Sequence, residues 1–302
     1  MLKNDVSMRQ LRYFVAAAKT GQFSQAASKV HVSQSAITAA VMQLEERLGV
    51  KLFERMPYGV SLTAEGNKFL QHASHILDTL QDALSEPFFL SHATSGVVRV
   101  GASYTVLGYF LPNLLARFKR NYPDVEIDLI DMERSSIEAA VTSGKLDMGL
   151  TVISNASDLS GRERSVLIRS RRQLWLASTH PLMQSNSITL KDVAEHAYIM
   201  PTVDEGEISA LRYWHSQNLK PQVAFRTSSM ESLRGLVAHG FGVTILSDML
   251  YRAWSLEGKK IEIRPLTDAV PPMELGLLWR EGASLNEAAS AFQQFLIHAC
   301  GS

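Results

Sequence analysis

The sequence predicts an α/β protein in two unequal parts, a small helical domain at the amino terminus and a larger strand-and-helix domain, joined by one long helix. Three observations predict it. Residues 24–48 hold two short helical patterns separated by a tight turn, residues 64–84 repeat apolar side chains at steps of four and three, and beyond Gly96 short apolar runs alternate with amphipathic stretches. With 302 residues, 46% of them hydrophobic, the chain suits two or three domains with substantial cores.

Taken in order, residues 8–19 place Leu11, Phe14, Val15 and Ala18 on one face, a scaffold helix that Gly21 ends. The second helix is read as starting behind Ser24 as its N-cap and burying Ala26, Ala27 and Val30. After a turn at His31-Val32, Ser33 caps a third helix in which Ala36, Ile37, Val41, Leu44 and Leu48 point inward. Gln34, Ser35, Thr38 and Ala39 are left on its outer face, and Gly49 closes it. Residues 51–55 then run into Met56-Pro57-Tyr58-Gly59, with Pro and Gly where a type I turn takes them, and residues 60–62 return as a second strand.

Two helices across a tight turn followed by a hairpin make a winged helix-turn-helix, whose second helix offers its N-terminal residues to the major groove of double-stranded DNA. The candidate contacts are Ser24, Ser33, Gln34, Ser35, Thr38 and Gln43, with Arg55 and Tyr58 near the hairpin tip for phosphates or the minor groove. The first 68 residues carry nine Lys/Arg against five Asp/Glu in a chain with no net charge. So small an excess calls for two linked modules to bind at physiological salt. Phe69, Ala73, Ile76, Leu80 and Ala83 supply the coiled-coil seam through which a long helix would pair with its copy; the alternative is packing on its own C-terminal domain. Glu86-Pro87 ends that helix, and residues 91–96 are the expected linker.

In the larger domain, strands are read at 97–102, 125–130 and 148–152, with helices at 107–121 and 136–143. Strands at 165–177, 198–200, 222–227 and 242–246 follow, with helices at 207–217 and 230–239. Strands near 261–263 and 274–279 and a helix at 286–299 complete two α/β lobes with mostly parallel sheets. Open α/β sheets bind ligands at the carboxyl ends of their strands, beside helix N-termini. The candidate ring is Ser103, Tyr104, Thr105, Met132 and Thr151 from one lobe, and Pro201, Thr202, Thr227, Phe241 and Gly242 from the other. Hydroxyls at helix ends favour an anion, so a small carboxylate is the expected effector, with Tyr104, Met132, Met200 and Phe241 as its apolar wall.

Leu11-Arg12-Tyr13-Phe14, Phe23-Ser24-Gln25-Ala26-Ala27, Val32-Ser33-Gln34-Ser35-Ala36, Leu44-Glu45, Leu48-Gly49, Leu52-Phe53-Glu54-Arg55 and Leu62-Thr63-Ala64-Glu65-Gly66 occur in order. This series resembles the LysR-type transcriptional regulators. It departs at Ala39-Ala40, where many members carry a long polar or basic side chain, which leaves more of the specificity to DNA shape. A weaker similarity runs on through Leu111-Pro112, residues 144–149, His180-Pro181-Leu182 and residues 237–243, with Ser247 where a Pro is common. The resemblance implies a sequence-specific, DNA-binding transcriptional regulator that responds to a small-molecule effector. It also implies a two-lobed effector domain similar to periplasmic solute-binding proteins. The implied boundaries are 6–63 for the winged domain, 64–90 for the linker helix and 97–302 for the effector domain. Its first lobe would take about 97–164 and 266–302, its second about 165–265. The implied partners are DNA, a second copy in a homodimer, a homotetramer built from such dimers, and RNA polymerase.

The remaining features point away from catalysis and cofactors. A single cysteine, Cys300, excludes an internal disulfide and fits a reducing cytoplasm, and no segment reads as a membrane span. His72 and His75 have no further ligand at metal spacing, and Asp131 and Glu133 have no nucleophile beside them. The five arginines between 162 and 172 read as a solvated face or an acidic-partner surface. Two other readings, a solute-binding or catalytic α/β protein and an oxyanion-sensing winged-helix regulator, would be separated by DNA-independent turnover or ligand binding and by the form of the C-terminal half.

Overall fold

Ser7 opens helix α1 (Met8–Thr20) with a reciprocal cap, its Oγ accepting from Gln10 N at 3.2 Å while Gln10 Oε1 accepts from Ser7 N at 2.9 Å. Gly21 closes it at φ 68°, a conformation that costs glycine nothing. This computed structural model describes residues 6–56, 59–85, 94–155 and 160–300, and the chain divides into two units, Met1–Leu90 and Ser91–Ser302.

In the first unit α1 packs with α2 (Phe23–Lys29) and α3 (Gln34–Leu48), and the hairpin β1 (Phe53–Met56) and β2 (Gly59–Leu62) pairs Phe53 with Leu62 through Met56 with Gly59. The core is one cluster around Phe14, fully buried, whose ring lies 5.3 Å from Phe53 and 5.1 Å from Phe69. Phe69 belongs to α4 (Ala64–Ser85), and so does Ala73, also fully buried in that cluster. The first half of the expected seam is therefore spent on the winged domain itself, because its apolar side chains meet α1 first. Ile76 stays 41% exposed. Ala83, Glu86, Pro87 and residues 91–93 of the expected linker fall outside the described side chains.

The second unit has two lobes. The sheet of the first runs β4 (Val125–Asp131), β3 (Gly96–Ala102), β5 (Met148–Val152), β12 (Met273–Arg280), β6 (Arg162–Ser170). β3 is parallel to β4 and β5, whereas β12 is antiparallel to both its neighbours, so the sheet is mixed rather than mostly parallel. On one face α5 (Tyr104–Tyr109), α6 (Leu111–Asn121) and α11 (Glu287–Cys300) bury Val106, Phe118 and Phe292 against Val98, Val100, Leu150 and Leu277. On the other, α7 (Arg134–Thr142) presses Ile137 so close that a Cβ on Gly149 would lie 2.3 Å from its Cγ2.

The sheet of the second lobe joins β8 (Ala197–Pro201) with β9 (Gln222–Thr227), and β10 (Thr244–Ser247), β7 (Arg172–Ala177) and β11 (Ile261–Arg264), through a parallel bridge from Tyr198 to Val243. Strand alternation sorts its core. Leu174 and Leu176 face Trp214 of α9 (Gly206–Ser216), while Trp175 faces Leu233 of α10 (Met230–Ala238). The run read as one strand at 165–177 breaks at Arg171. Its first part pairs with β12, which carries the first lobe on to Ser170, and its second enters the other sheet. The single helix read at 107–121 likewise divides at Phe110, and the short α8 (Leu190–Ala194), capped by Thr189, was not anticipated.

Candidate DNA-binding and effector sites

The outer face of α3 is assembled locally. Ser33 caps the helix, accepting from Ala36 N at 3.2 Å, with Ser35 Oγ 2.9 Å from its own Oγ. Ile37, Ala40, Val41, Leu44 and Glu45 are buried, so Gln34, Ser35 and Ala39 stand exposed. Thr38 turns its hydroxyl back on Gln34 O at 3.0 Å, which keeps its methyl outward on the same face. Gln43 is exposed but engaged, accepting from Gln10 Nε2 at 3.2 Å in an open groove of about 450 Å³ between α1 and α3. Ser24 is corrected: Gln22 stands at the N-cap of α2, its side chain making no capping bond to the helix amides and accepting instead from Gln25 Nε2 at 2.9 Å, and Ser24 lies exposed in the first turn. Arg55 is exposed on β1, and Tyr58 lies outside the described residues. Sequence reasoning missed Met42, one turn beyond Thr38 and 58% exposed, an apolar side chain of the kind that meets a thymine methyl.

Glu45 fastens the wing to this helix. Its Oε1 accepts from Leu52 N at 2.8 Å and Phe53 N at 3.1 Å, and its Oε2 receives Lys51 Nζ at 2.6 Å. Burial pulls the carboxyl up, but the Lys51 bond and the two backbone bonds outweigh it and leave it below the ordinary carboxylate range.

In the second unit a cavity of about 40 Å³ opens between the lobes. Of the residues expected there, Thr105 and Pro201 line it, together with Arg172, Asp204, Ser209 and Tyr213, which were not anticipated. Asp204 and Glu205 follow β8 at φ 48° and 59°, left-handed conformations uncommon in non-glycine residues. Both carboxylates cross to the first lobe. Asp204 Oδ2 accepts from Thr105 N at 2.7 Å, and Glu205 takes Arg134 through Nε at 3.0 Å and Nη2 at 2.7 Å. Those bonds to Glu205 hold the Arg134 guanidinium above its ordinary range against the opposing cost of burial.

The other expected residues divide. Ser103, at the head of α5, is 1% exposed and its Oγ has no hydrogen-bond partner. Thr202 donates its N–H to Thr227 O at 3.0 Å, closing the carboxyl ends of β8 and β9, while Thr227 Oγ1 accepts from Ser229 N. Tyr104 turns outward, 41% exposed, with its ring 6.5 Å from Tyr109. Thr151 lies inside β5, fully buried and paired with Gly276, and it is Val152 that lines the cavity. Met132 packs with Ile137, Val141 and Leu146, and Met200 lies in the core beside Trp214.

Phe241 and Gly242 are corrected outright. Val243 bonds to Ala197 and Ile199, so the residues before it lie at the amino end of β8, opposite Pro201. The approach to a strand parallel to β8 must lie there, and the residues of β10 that reach the cavity are Ile245, Leu246 and Ser247, toward its carboxyl end. The arginine run is also more varied than a solvated face. Arg162 is largely buried, 3.6 Å from Glu138, Arg169 pairs with Glu274 at 2.7 Å, and Arg172 reaches the cavity.

A capped helix with an exposed polar face in one unit and an interlobe cavity in the other define a class, proteins that combine a DNA-reading module with a small-molecule domain. Comparison with known proteins gives the family. Residues 8–67 match the bacterial regulatory helix-turn-helix protein, lysR family, and residues 91–301 match the LysR substrate binding domain. The chain belongs to the LysR family of transcriptional regulators, which are DNA-binding proteins and not enzymes. It is 28% identical to the uncharacterized HTH-type transcriptional regulator YnfL of Escherichia coli, over 98% of this chain and 99% of that one. It is 26% identical to the RuBisCO operon transcriptional regulator of Allochromatium vinosum, over 97% and 96%. The crystal structure of HinK, a LysR family transcriptional regulator from Pseudomonas aeruginosa, superposes with a TM-score of 0.62 at 28% identity, over 97% and 98% of the two chains. Among the described residues no helix is long and apolar enough to cross a membrane, and no group of three or more His, Cys, Asp or Glu could hold a metal ion.

Proposed function

We propose that this regulator reads its operator with the outer face of α3 and takes a small carboxylate into the cleft between the lobes of its second unit. The observation that carries the reading is the exposure of Gln34 and Ser35 at the capped start of a helix whose opposite face is buried. Gln34, Ser35, Thr38 and Met42 then meet base edges, while Ser24, Ser33, Gln43 and Arg55 position the module on sugar and phosphate. Ser103, Thr105, Pro201 and Thr202 stand around the effector. The protein acts in the cytoplasm as a homodimer, with homotetramers and contact with RNA polymerase as its larger assemblies on DNA. The small charge excess of the winged domain supports at least two linked modules.

An effector shifts the operator complex only through a difference in affinity for its alternative arrangements, and a coupling of about 1–3 kcal/mol changes occupancy several-fold or more. Two variants measured together test the reading. Gln34→Ala should weaken specific binding more than binding to unrelated DNA, and Ser103→Ala should blunt the effector response with operator binding intact. Equal loss on all DNA would make Gln34 a backbone contact, and lost operator binding in Ser103→Ala would overturn the division of roles.

A further inference from the structure

Arg172 begins β7, opposite Ser247 in the register with β10, and its side chain forms part of the cavity wall. Its Nη2 donates to Ser209 Oγ at 2.7 Å, and its guanidinium lies 5.7 Å from the centroid of the Tyr213 ring. Among the described residues no Asp or Glu forms an ion pair with it. Three other arginines withdrawn from solvent in this unit have acidic or carbonyl partners. Arg134 has Glu138 and Glu205, Arg234 has Glu231 and the carbonyl of Leu250, and Arg264 donates to the carbonyls of Leu182, Met183 and Ser185. A guanidinium offers five donors, and one hydroxyl and an aromatic face leave most of that capacity unmet. Arg172 is half-buried, and a cation withdrawn from water in part and without an ion-pair partner suits a site that receives an anion.

We propose that Arg172 is the anion-binding residue of the cleft and that the effector is a monocarboxylate with an apolar body, its carboxylate held by this guanidinium. The inference rests on the reading of the cleft as the effector site and gives that site its chemistry. The rest of the wall is apolar, with Val152, Val203, Ala210, Ile245 and Met273 suiting an aliphatic or aromatic body. Among the described residues Asp204 is the one acidic residue on the wall, fixed by Thr105 N, and its negative charge opposes any incoming anion. Positive and negative wall residues therefore act on the ligand with opposite sign, which a purely structural role for either would not do. At about 40 Å³ the cavity admits a head group and little more, so the body enters as the lobes part.

The test titrates the full-length protein with isobutyrate, benzoate and the uncharged isobutyramide and benzamide, following Tm and calorimetric Kd. At least one acid should raise Tm while its amide does not. Arg172→Gln should weaken that acid about tenfold or more, the loss of one charge-assisted contact, with Arg172→Lys keeping part of the affinity. Asp204→Asn, which suits the left-handed backbone, should tighten it. The inference is overturned if neither acid shifts Tm, if the amides act as well as the acids, or if Arg172→Gln leaves Kd unchanged. Should Arg172→Gln not fold by circular dichroism, Asp204→Asn still decides, since unchanged or weaker binding contradicts the proposal. Val203→Trp separates the two levels. An acid that still binds this cleft-filling variant overturns the reading of the cleft itself, whereas amide binding lost in Val203→Trp but intact in Arg172→Gln overturns only the role of Arg172.

Discussion

The outer face of α3 and the interlobe cleft are both polar sites on an apolar framework, yet they are built in opposite ways. On α3 the functional side chains come from one continuous helix, its cap is the residue before it, and its polar face is what remains once Ile37, Val41 and Leu44 are buried. In the cleft, Thr105 meets Asp204 across 99 positions of sequence, and polar groups of the two lobes satisfy one another. A site made by one helix survives change elsewhere as long as the helix stays docked. A site made by two lobes depends on every contact that sets the distance between them.

The largest effect expected from this contrast is Phe14→Ala. It removes a fully buried ring that packs on both Phe53 and Phe69, at a cost of about 3–5 kcal/mol. Denaturant unfolding should show the winged domain lost at lower concentration with the transition of the second unit unmoved; a matching shift in both would mean the units do not unfold separately.

Glu45→Gln comes next, at about 1–3 kcal/mol, because it weakens acceptance from two buried backbone N–H groups. The folded carboxyl lies below its ordinary range, so its stabilising contribution is complete above that range and disappears as pH falls through the lower folded value. The acid limb of a stability-against-pH curve for the winged domain should therefore flatten in Glu45→Gln, and an unchanged limb would remove Glu45 from the account. Arg134→Ala, at about 1–2 kcal/mol, cuts the bidentate bridge to Glu205. Hydrogen exchange of the α5 amides should speed up while α3 is unaffected. Equal exchange in variant and wild type would show that the bridge does not hold the lobes.

Ser103→Ala should be the smallest, within about 0.5 kcal/mol in thermal stability, since the hydroxyl it removes bonds to nothing within the chain. A large loss of Tm would show that this hydroxyl is structural.

The same contrast explains what was legible in the sequence. Helical spacing and glycine placement set out α1, α3, Gly21 and Gly49 because these features are decided within a few residues. Gln34 and Ser35 follow from them. Ser24 was misassigned because a serine at a helix start reads as a cap, whereas Gln22 already has extended backbone and the helix begins one residue earlier than Ser24. The two carboxylates of the cleft had no such signal, since nothing in Val203-Asp204-Glu205-Gly206 announces two left-handed residues. Arg172 stood in a visible arginine run, but only the break at Arg171, where the chain changes sheets, separates it from its solvated neighbours. Phe241 and Gly242 show that a residue next to a parallel strand belongs to the cleft only if it follows the strand.

The most direct test of the central claim, that α3 specifies DNA through its outer face, is to select genomic fragments at physiological salt with wild-type protein and Gln34→Ala, sequence what is retained, and footprint the best sites. Enrichment of an interrupted inverted repeat by the wild type, lost or relaxed in Gln34→Ala, is the predicted result. Uniform, salt-labile retention by both proteins would contradict it.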